Sequence, residues 1–174
     1  MVDITGDAGW FAAPRPRDWL KEHLPPHRVL CVVAPVYAHH LQHQARRLIR
    51  ALPAPDGAFG ALALPVLCYG GLSTGVAMGQ TARLLRRSGR MLVGAARVAC
   101  PHTISMLPQI ATKVNRDRPG PEEEAVVRRI AERIASVIGG RLPPRGEVER
   151  EAHRSRGAWG KVRNLILRGR GTRG

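Results

Sequence analysis

The run of residues from Arg28 to Leu41, RVLCVVAPVYAHHL, constrains the fold more than any other part of the chain. Its first half is almost wholly aliphatic, which is typical of a strand buried on both faces inside a parallel sheet. Because proline has no backbone N–H and restricts the residue before it, we expect this strand to stop at Ala34-Pro35. Ligands bind at the carboxyl ends of the strands in open α/β sheets. Tyr37 follows the stop and is therefore well placed to stack on a flat ring.

Two further apolar runs repeat this pattern. Gly60 to Leu67 predicts a second strand, and it is followed by a tyrosine and two glycines, Tyr69-Gly70-Gly71. Glycines allow a backbone to approach a ligand closely. Met91 to Ala99 predicts a third long strand, which ends just before Pro101-His102.

Helical spacing of apolar residues predicts helices between these strands. The segments are Arg17–Leu24, His40–Leu52, Gly75–Arg87 and Pro121–Ile138, and Val2–Thr5 is a candidate for an additional short strand. The last helix begins with proline and three glutamates, a composition that suits the positive end of a helix dipole. The alternation of strands and helices predicts a parallel sheet flanked by helices, with right-handed crossovers.

The paired tyrosine loops resemble those that hold the isoalloxazine ring in flavodoxin-like proteins. The chain is similar in particular to the flavodoxin-like domain of ferredoxin-fused electron-transfer proteins, in which a third strand ends near a Pro-His pair. The likeness extends from Val2 to Ile138 and implies a three-layer α/β sandwich with a parallel sheet. It also implies electron transfer or flavin-dependent reduction with flavin mononucleotide (FMN). The implied cofactor-binding residues are Pro35, Val36, Tyr37, Ala38, Tyr69, Gly70, Gly71 and His102.

The chain departs from this family at its start. The family's central first strand, and the Ser/Thr/Gly-rich loop that holds the flavin phosphate, have no counterpart here. Losing two or three hydrogen bonds of roughly 1.5–3 kcal/mol each would weaken FMN binding by about three orders of magnitude. We therefore expect that Met1 is not the natural start and that a βα unit of roughly 30 residues precedes it. The alternatives are that Val2–Thr5 or a partner chain, including a second copy, fills the vacant strand position.

The three cysteines exclude the family's ferredoxin module. Cys31, Cys68 and Cys100 are scattered, whereas an iron–sulfur cluster needs closely spaced thiolates. Cys68 and Cys100 end strands that should be neighbours, so they form either a redox pair or two buried, inert thiols. The absence of a disulfide framework favours a reducing cytosol, and so a cytoplasmic protein.

The net charge of +15 points to acidic partners or surfaces. No recognition motif for nucleic acid accompanies the charge, and no apolar run approaches the ~20 residues of a membrane helix. An acidic redox partner protein is the expectation from the resemblance. The alternative function, from a different class, is a degenerate non-flavin scaffold that binds an acidic partner through its arginine-rich surface.

Two other candidate sites are open to plainer interpretations. His39 and His43 are one helical turn apart, a spacing that can bind a metal, but no nearby acid or cysteine completes a ligand set. We interpret them as histidines that face solvent. Ser73-Thr74 either caps the helix at Gly75 or bonds a ligand. No nucleophile–base pair lies near a glycine-rich turn, so hydrolase chemistry has no support.

The chain is expected to divide at Gly139-Gly140. Residues 1–139 form the flavodoxin-like domain, and residues 140–174 carry ten basic and three acidic residues. We expect this second part to be a basic, flexible tail that is dispensable for folding, because it adds few apolar residues to a core. The alternative is that it docks to an acidic partner or a membrane.

Overall fold

A computed structural model describes residues 13–70, 73–101, 115 and 117–153 of the 174. Its helices are α1 (Pro16–His23), α2 (His43–Ala51), α3 (Ala77–Arg87), α4 (Pro121–Ile138) and α5 (Arg145–His153). Its strands are β1 (His27–Tyr37), β2 (His40–Leu41), β3 (Phe59–Tyr69), β4 (Met91–Leu92) and β5 (Ala96–Ala99). The predicted strand Val2–Thr5 lies outside the described residues, as do Gly71 and His102. No helix in the described part is long and apolar enough to cross a membrane.

The sheet is mostly parallel, so the fold is α/β as predicted. β1 and β3 pair in parallel from His27–Phe59 to Pro35–Cys68, with one irregularity after His27. β3 pairs in parallel with β4 at Leu62 and Ala63 and with β5 at its end. The short β2 pairs antiparallel with the last two residues of β1.

Helices pack on both faces of this sheet. α2, α3 and α5 contribute to an apolar cluster on one face, built with Val32, Ala34 and Leu67 of β1 and β3. Val137 of α4 is buried in a second cluster on the other face, with Leu64 among its strand residues. Helix α4 coincides with the predicted segment Pro121–Ile138.

Strand β1 is buried on one face only, so the prediction of burial on both faces is wrong. Val32 and Ala34 point into the core, whereas Val33 between them is 64% exposed and Cys31 is exposed as well. On this second face, Val29 packs against the α4 cluster near the start of the strand. Within the described chain, β1 has only β3 and the two residues of β2 as neighbours, so β1 is an edge strand.

The predicted third strand is divided into β4 and β5, and Pro65 supplies a physical reason. The carbonyls of Ala63 and Tyr69 accept hydrogen bonds from the amides of Val93 (3.0 Å) and Cys100 (2.9 Å). Every second residue of a strand directs its backbone groups to the same side, so the backbone groups of Pro65, like those of Ala63 and Tyr69, point toward the chain that contains β4 and β5. Because proline has no N–H to donate, the ladder is interrupted opposite it.

Pro35 does not end β1, contrary to prediction. Along β3, the backbone N–H and C=O groups of successive residues point to alternate sides. Those of Pro65 point toward β4 and β5, so those of Cys68, three residues later, point toward β1. Pro35 of β1 is in register with Cys68. In a parallel ladder only one residue of such a pair directs its backbone groups to the other strand, so the backbone groups of Pro35 point away from β3. An edge strand tolerates proline at a position where no donor is needed. The strand therefore continues to Tyr37.

The chain beyond Gly140 differs from the flexible tail that was expected. Residues 145–153 form α5, in which Val148 is 4% exposed and Ala152 is 1% exposed. The Glu151 carboxylate accepts a hydrogen bond from the Ala95 amide at 3.0 Å. The packed part of the molecule thus extends at least to His153, which lies fourteen residues past the predicted boundary at Gly139.

Candidate ligand site at the carboxyl edge of the sheet

The two predicted tyrosine loops lie side by side in the structure. Pro35 is in register with Cys68, so the residues that follow each of them reach the same edge of the sheet. This places Pro35 to Ala38 next to Tyr69-Gly70. Gly71 and His102 belong to the same predicted site, but they lie outside the described residues.

Tyr37 and Tyr69 point to opposite faces of the sheet. Side chains alternate between the two faces of a strand, so Tyr69 points to the same face as Ala63 and Leu67, which is the face covered by α2 and α3. By the same alternation, Tyr37 points to the same face of β1 as Val29 and Cys31, which is the face on which α4 packs. Tyr37 is 58% exposed, and Tyr69 is half-buried. One aromatic ring is therefore available above the carboxyl edge and one below it.

A tight turn fixes the position of Tyr37. Ala38 and His39 both have left-handed backbone angles, with φ of 45° and 67°, and they connect β1 to β2. Two such residues between antiparallel strands form a type I′ hairpin, whose twist matches that of the strands. Neither residue is the glycine or asparagine that this turn favours, so the surrounding structure must support the conformation.

Gly75 provides that support through backbone contact. The His39 carbonyl accepts a hydrogen bond from the Val76 amide at 3.0 Å. A Cβ atom at Gly75 would lie 2.3 Å from the His39 Cβ, and Gly75 itself has a φ of 53°. Only glycine fits this contact without a shift of the backbone. Helix α3 consequently starts at Ala77, two residues later than the sequence predicted.

Gln80 of α3 fastens β2 from the other side. Its Oε1 accepts a hydrogen bond from the Leu41 amide at 3.1 Å, and its Nε2 donates to Nδ1 of His40 at 2.9 Å. These bonds explain why β2 replaces the first turn of the helix expected from His40. Helix α2 instead begins at His43, with the Gln42 side chain as its cap.

Arg97 connects the loop before α3 to α5. Its Nε donates to Oγ1 of the buried Thr74 at 3.2 Å, and its Nη1 donates to the Glu151 carbonyl at 2.7 Å. Neither Arg97 nor Gln80 was predicted as a site residue. Both act on partners at least 23 residues away, and no local sequence pattern signals such contacts.

Ser73-Thr74 supports the loop instead of capping the helix. The Ser73 hydroxyl accepts a hydrogen bond from the Gly75 amide at 3.2 Å, two residues before α3 begins. The first residue before the helix is Val76, which has no side-chain cap. This local bond between a serine and the backbone is typical of a turn.

The structure does not place His39 and His43 on one helix turn. His39 lies in the hairpin turn, and β2 separates it from the start of α2 at His43. Among the described residues, no group of three His, Cys, Asp or Glu side chains has the geometry to hold a metal ion.

A separate cleft of about 720 Å³ lies between α4, α5 and the segment Gly94–Arg97. None of the predicted site residues lines it. Arg133 of α4 lines this cleft and pairs with the carboxylates of Glu147 and Glu151 of α5. These three charges therefore hold α5 against α4.

No protein-family model, curated protein or solved structure matches this chain.

Proposed function

We propose that this protein binds the isoalloxazine ring of FMN at the carboxyl edge of β1 and β3 and uses it for electron transfer. The observation that carries the proposal is the placement of Tyr37 and Tyr69 at one edge on opposite faces of the sheet. A flat ring that continues the plane of the sheet would meet one tyrosine on each of its faces. Aromatic rings prefer such stacked contacts.

The backbone around this position suits a ring edge. Gly70 follows Tyr69 directly and has no side chain to block a close approach. Ala38 is held in the hairpin turn by the contacts of His39 with Gly75 and Val76. A turn that is fixed before binding reduces the ordering entropy lost when a ligand arrives.

The described residues favour the ring over the phosphate. Helix α3 begins near this edge, but the Val76 amide donates to His39 and the Ala77 amide donates to Thr74. The helix terminus is therefore not free to bind phosphate in the manner of a nucleotide-binding loop. We expect riboflavin and FMN to bind this chain with similar affinity, since the ring carries most of the binding energy.

The rest of the proposal follows from charge and arrangement. Helices on both faces of a parallel sheet agree with a flavodoxin-like sandwich that lacks the strand beside β1. The net charge of +15 would favour an acidic redox partner. The described cysteines are all free thiols, which is consistent with a cytoplasmic location.

Titration of the purified protein with FMN and riboflavin, followed by flavin fluorescence, tests the proposal. Tyr37→Ala and Tyr69→Ala should each weaken binding by about 5- to 150-fold, as expected for stacking worth 1–3 kcal/mol. Tyr37→Phe keeps the ring and should bind like the wild type. Val33→Ser, on the same face of β1 but nearer its start, is the matched control and should leave affinity unchanged. Absence of flavin binding by the wild type, or unchanged affinity in both alanine variants, would overturn the assignment.

A further inference from the structure

Cys68 and Cys100 meet on one face of the sheet. Cys68 of β3 is in register with Val98 of β5. Cys100 continues β5 by one residue, since its amide donates to the Tyr69 carbonyl at 2.9 Å. Alternation along the strands therefore points both cysteine side chains to the same side, two residues apart on neighbouring strands. The Cys100 side chain is near enough to influence the Cys68 thiol, and its own Sγ lies 3.9 Å from the Val98 carbonyl oxygen.

The two thiols are chemically distinct. Burial raises the pKa of the Cys68 thiol to about 11, and the negative charge and hydrogen bond of Cys100 act in the same direction. Cys68 consequently ionises less readily than an ordinary thiol. The thiolate is the nucleophilic form, so the first attack on an oxidant falls to Cys100 and not to Cys68.

Both sulfurs remain reachable. Cys68 and Cys100 are each half-buried, and Cys100 lies one residue past the end of β5. One strand spacing across and two residues along separate the Cα atoms of the pair by roughly 8 Å, slightly beyond the limit of about 7 Å for a disulfide. Closing the bond therefore requires the Cys100 end of the chain, one residue past β5, to move toward Cys68 by roughly 1–2 Å.

The third cysteine is excluded from the pair by its position. Cys31 is in register with Leu64, four residues before Cys68 on β3. At a rise of roughly 3.3 Å per residue, this separates Cys31 from the pair by about 13 Å along the sheet. A disulfide requires Cα atoms within about 7 Å, so Cys31 cannot join either partner in the folded chain.

We infer that Cys68 and Cys100 form a reversible dithiol–disulfide couple, a redox site that does not depend on flavin binding. With hydrogen peroxide as oxidant, Cys100 gives up its proton and its sulfur attacks a peroxide oxygen. The O–O bond breaks, Cys100 becomes a sulfenic acid, and the leaving hydroxide takes up that proton to form water. The Cys68 sulfur then attacks the Cys100 sulfur. The S–S bond forms, and the sulfenic hydroxyl leaves with the Cys68 proton as a second water. In total, two thiols lose two electrons and two protons, and one peroxide is reduced to two waters.

The test counts free thiols on the full chain. Reduced protein is oxidised with hydrogen peroxide while folded, then denatured, alkylated with N-ethylmaleimide and weighed by intact-mass spectrometry. The reduced protein should take three labels, because the chain has three cysteines. The oxidised protein should take one label, located at Cys31 by peptide mapping, and dithiothreitol should restore three. Three labels after oxidation, a pair that includes Cys31, or disulfide-linked dimers would each overturn the inference.

Variants and a denatured control separate the roles of the two thiols. Cys31→Ser should oxidise like the wild type and lose both of its labels. Cys68→Ser should trap the intermediate, so that dimedone labels Cys100, whereas Cys100→Ser should give no such adduct at Cys68. Oxidation in denaturant should distribute disulfides among all three cysteines, because the selectivity comes from the fold. Selective pairing of Cys68 and Cys100 in the denatured chain would contradict the proposal that the fold brings them together. Oxidation of Cys100 to a sulfinic acid without pairing would contradict the proposed disulfide.

Discussion

At the scale of single residues, the contact between Gly75 and His39 positions the candidate site. Gly75 has a left-handed backbone, and its Cα faces the side chain and carbonyl of His39 in the hairpin turn. The hydrogen bond from the Val76 amide to the His39 carbonyl adds to this contact. Tyr37 is next but one to His39 in the chain, so its direction depends on the same turn.

We expect Gly75→Ala to destabilise the protein by roughly 2–5 kcal/mol. The new methyl group would lie 2.3 Å from the His39 Cβ and 2.8 Å from its carbonyl oxygen. Left-handed backbone in a non-glycine residue costs roughly 1–2 kcal/mol, and overpacking adds roughly 1–3 kcal/mol. Urea unfolding followed by circular dichroism measures the change.

Gly79→Ala is the matched control for this substitution. Gly79 lies within α3, one helical turn after Gly75, and a Cβ atom there meets nothing within 4 Å. Alanine in a helix should then raise the free energy of unfolding by roughly 0.5–1 kcal/mol. If both variants lost similar stability, the close contact between Gly75 and His39 would be wrong.

The sequence predicted some residues of the site and not others, for a physical reason. Tyr37 and Tyr69 could be predicted because each follows its own apolar run, and parallel strands end at a common edge. Gln80 could not, because its bonds to His40 and Leu41 span about 40 residues and depend on how α3 packs. Gly75 was predicted to begin a helix because its local sequence has helical spacing. Its turn conformation depends instead on contact with His39, which the local sequence does not indicate.

At the scale of elements, β1 combines a buried face with an exposed one. Val32 is 5% exposed and Val33 is 64% exposed, although the two are adjacent and have the same side chain. Strand β1 is at the edge of the described sheet, and α4 approaches only the start of its second face. An aliphatic sequence alone does not distinguish this arrangement from burial on both faces.

Substitution of these two valines by serine tests the one-sided burial of β1. Val32→Ser removes buried methyl groups and places a hydroxyl in the core, which should cost roughly 2–4 kcal/mol. Val33→Ser should cost about 1 kcal/mol or less, because only strand propensity changes. The free energy of unfolding in urea is the measurement. An equal, large loss for Val33→Ser would mean that this face of β1 is covered.

The elements that the sequence predicted best are those with local causes. Helix α4 has its start and end signals within its own segment, with Pro121 at the start and Gly139-Gly140 after its end. The break between β4 and β5 has its cause in Pro65 of another strand, so no pattern within Met91–Ala99 could indicate it. The continuation of β1 past Pro35 likewise depends on which side of the strand is unpaired.

At the scale of the whole molecule, α5 connects helices from the two faces of the sheet. Its Val148 and Ala152 are part of the cluster under α2 and α3. Glu149 pairs with Arg86 of α3 at 2.5 Å, and Glu147 pairs with Arg133 of α4. Charged and small residues dominate this helix, so its sequence resembles a solvated tail although the packed helix contacts both neighbours.

Because α5 packs against the core, the chain beyond Gly140 should not be dispensable for folding, contrary to the expectation from the sequence. Val148→Ala removes two buried methyl groups and should lower the free energy of unfolding by roughly 1–3 kcal/mol. Val127→Ala on α4 is the matched control, since Val127 is 55% exposed and also helical, so both variants gain the same helix propensity. Its stability should stay within about 0.5 kcal/mol of the wild type or rise slightly. Urea denaturation of both variants gives the comparison. Equal stabilities would indicate that α5 does not pack against the core, and that the dispensable part of the chain begins at Gly140 after all.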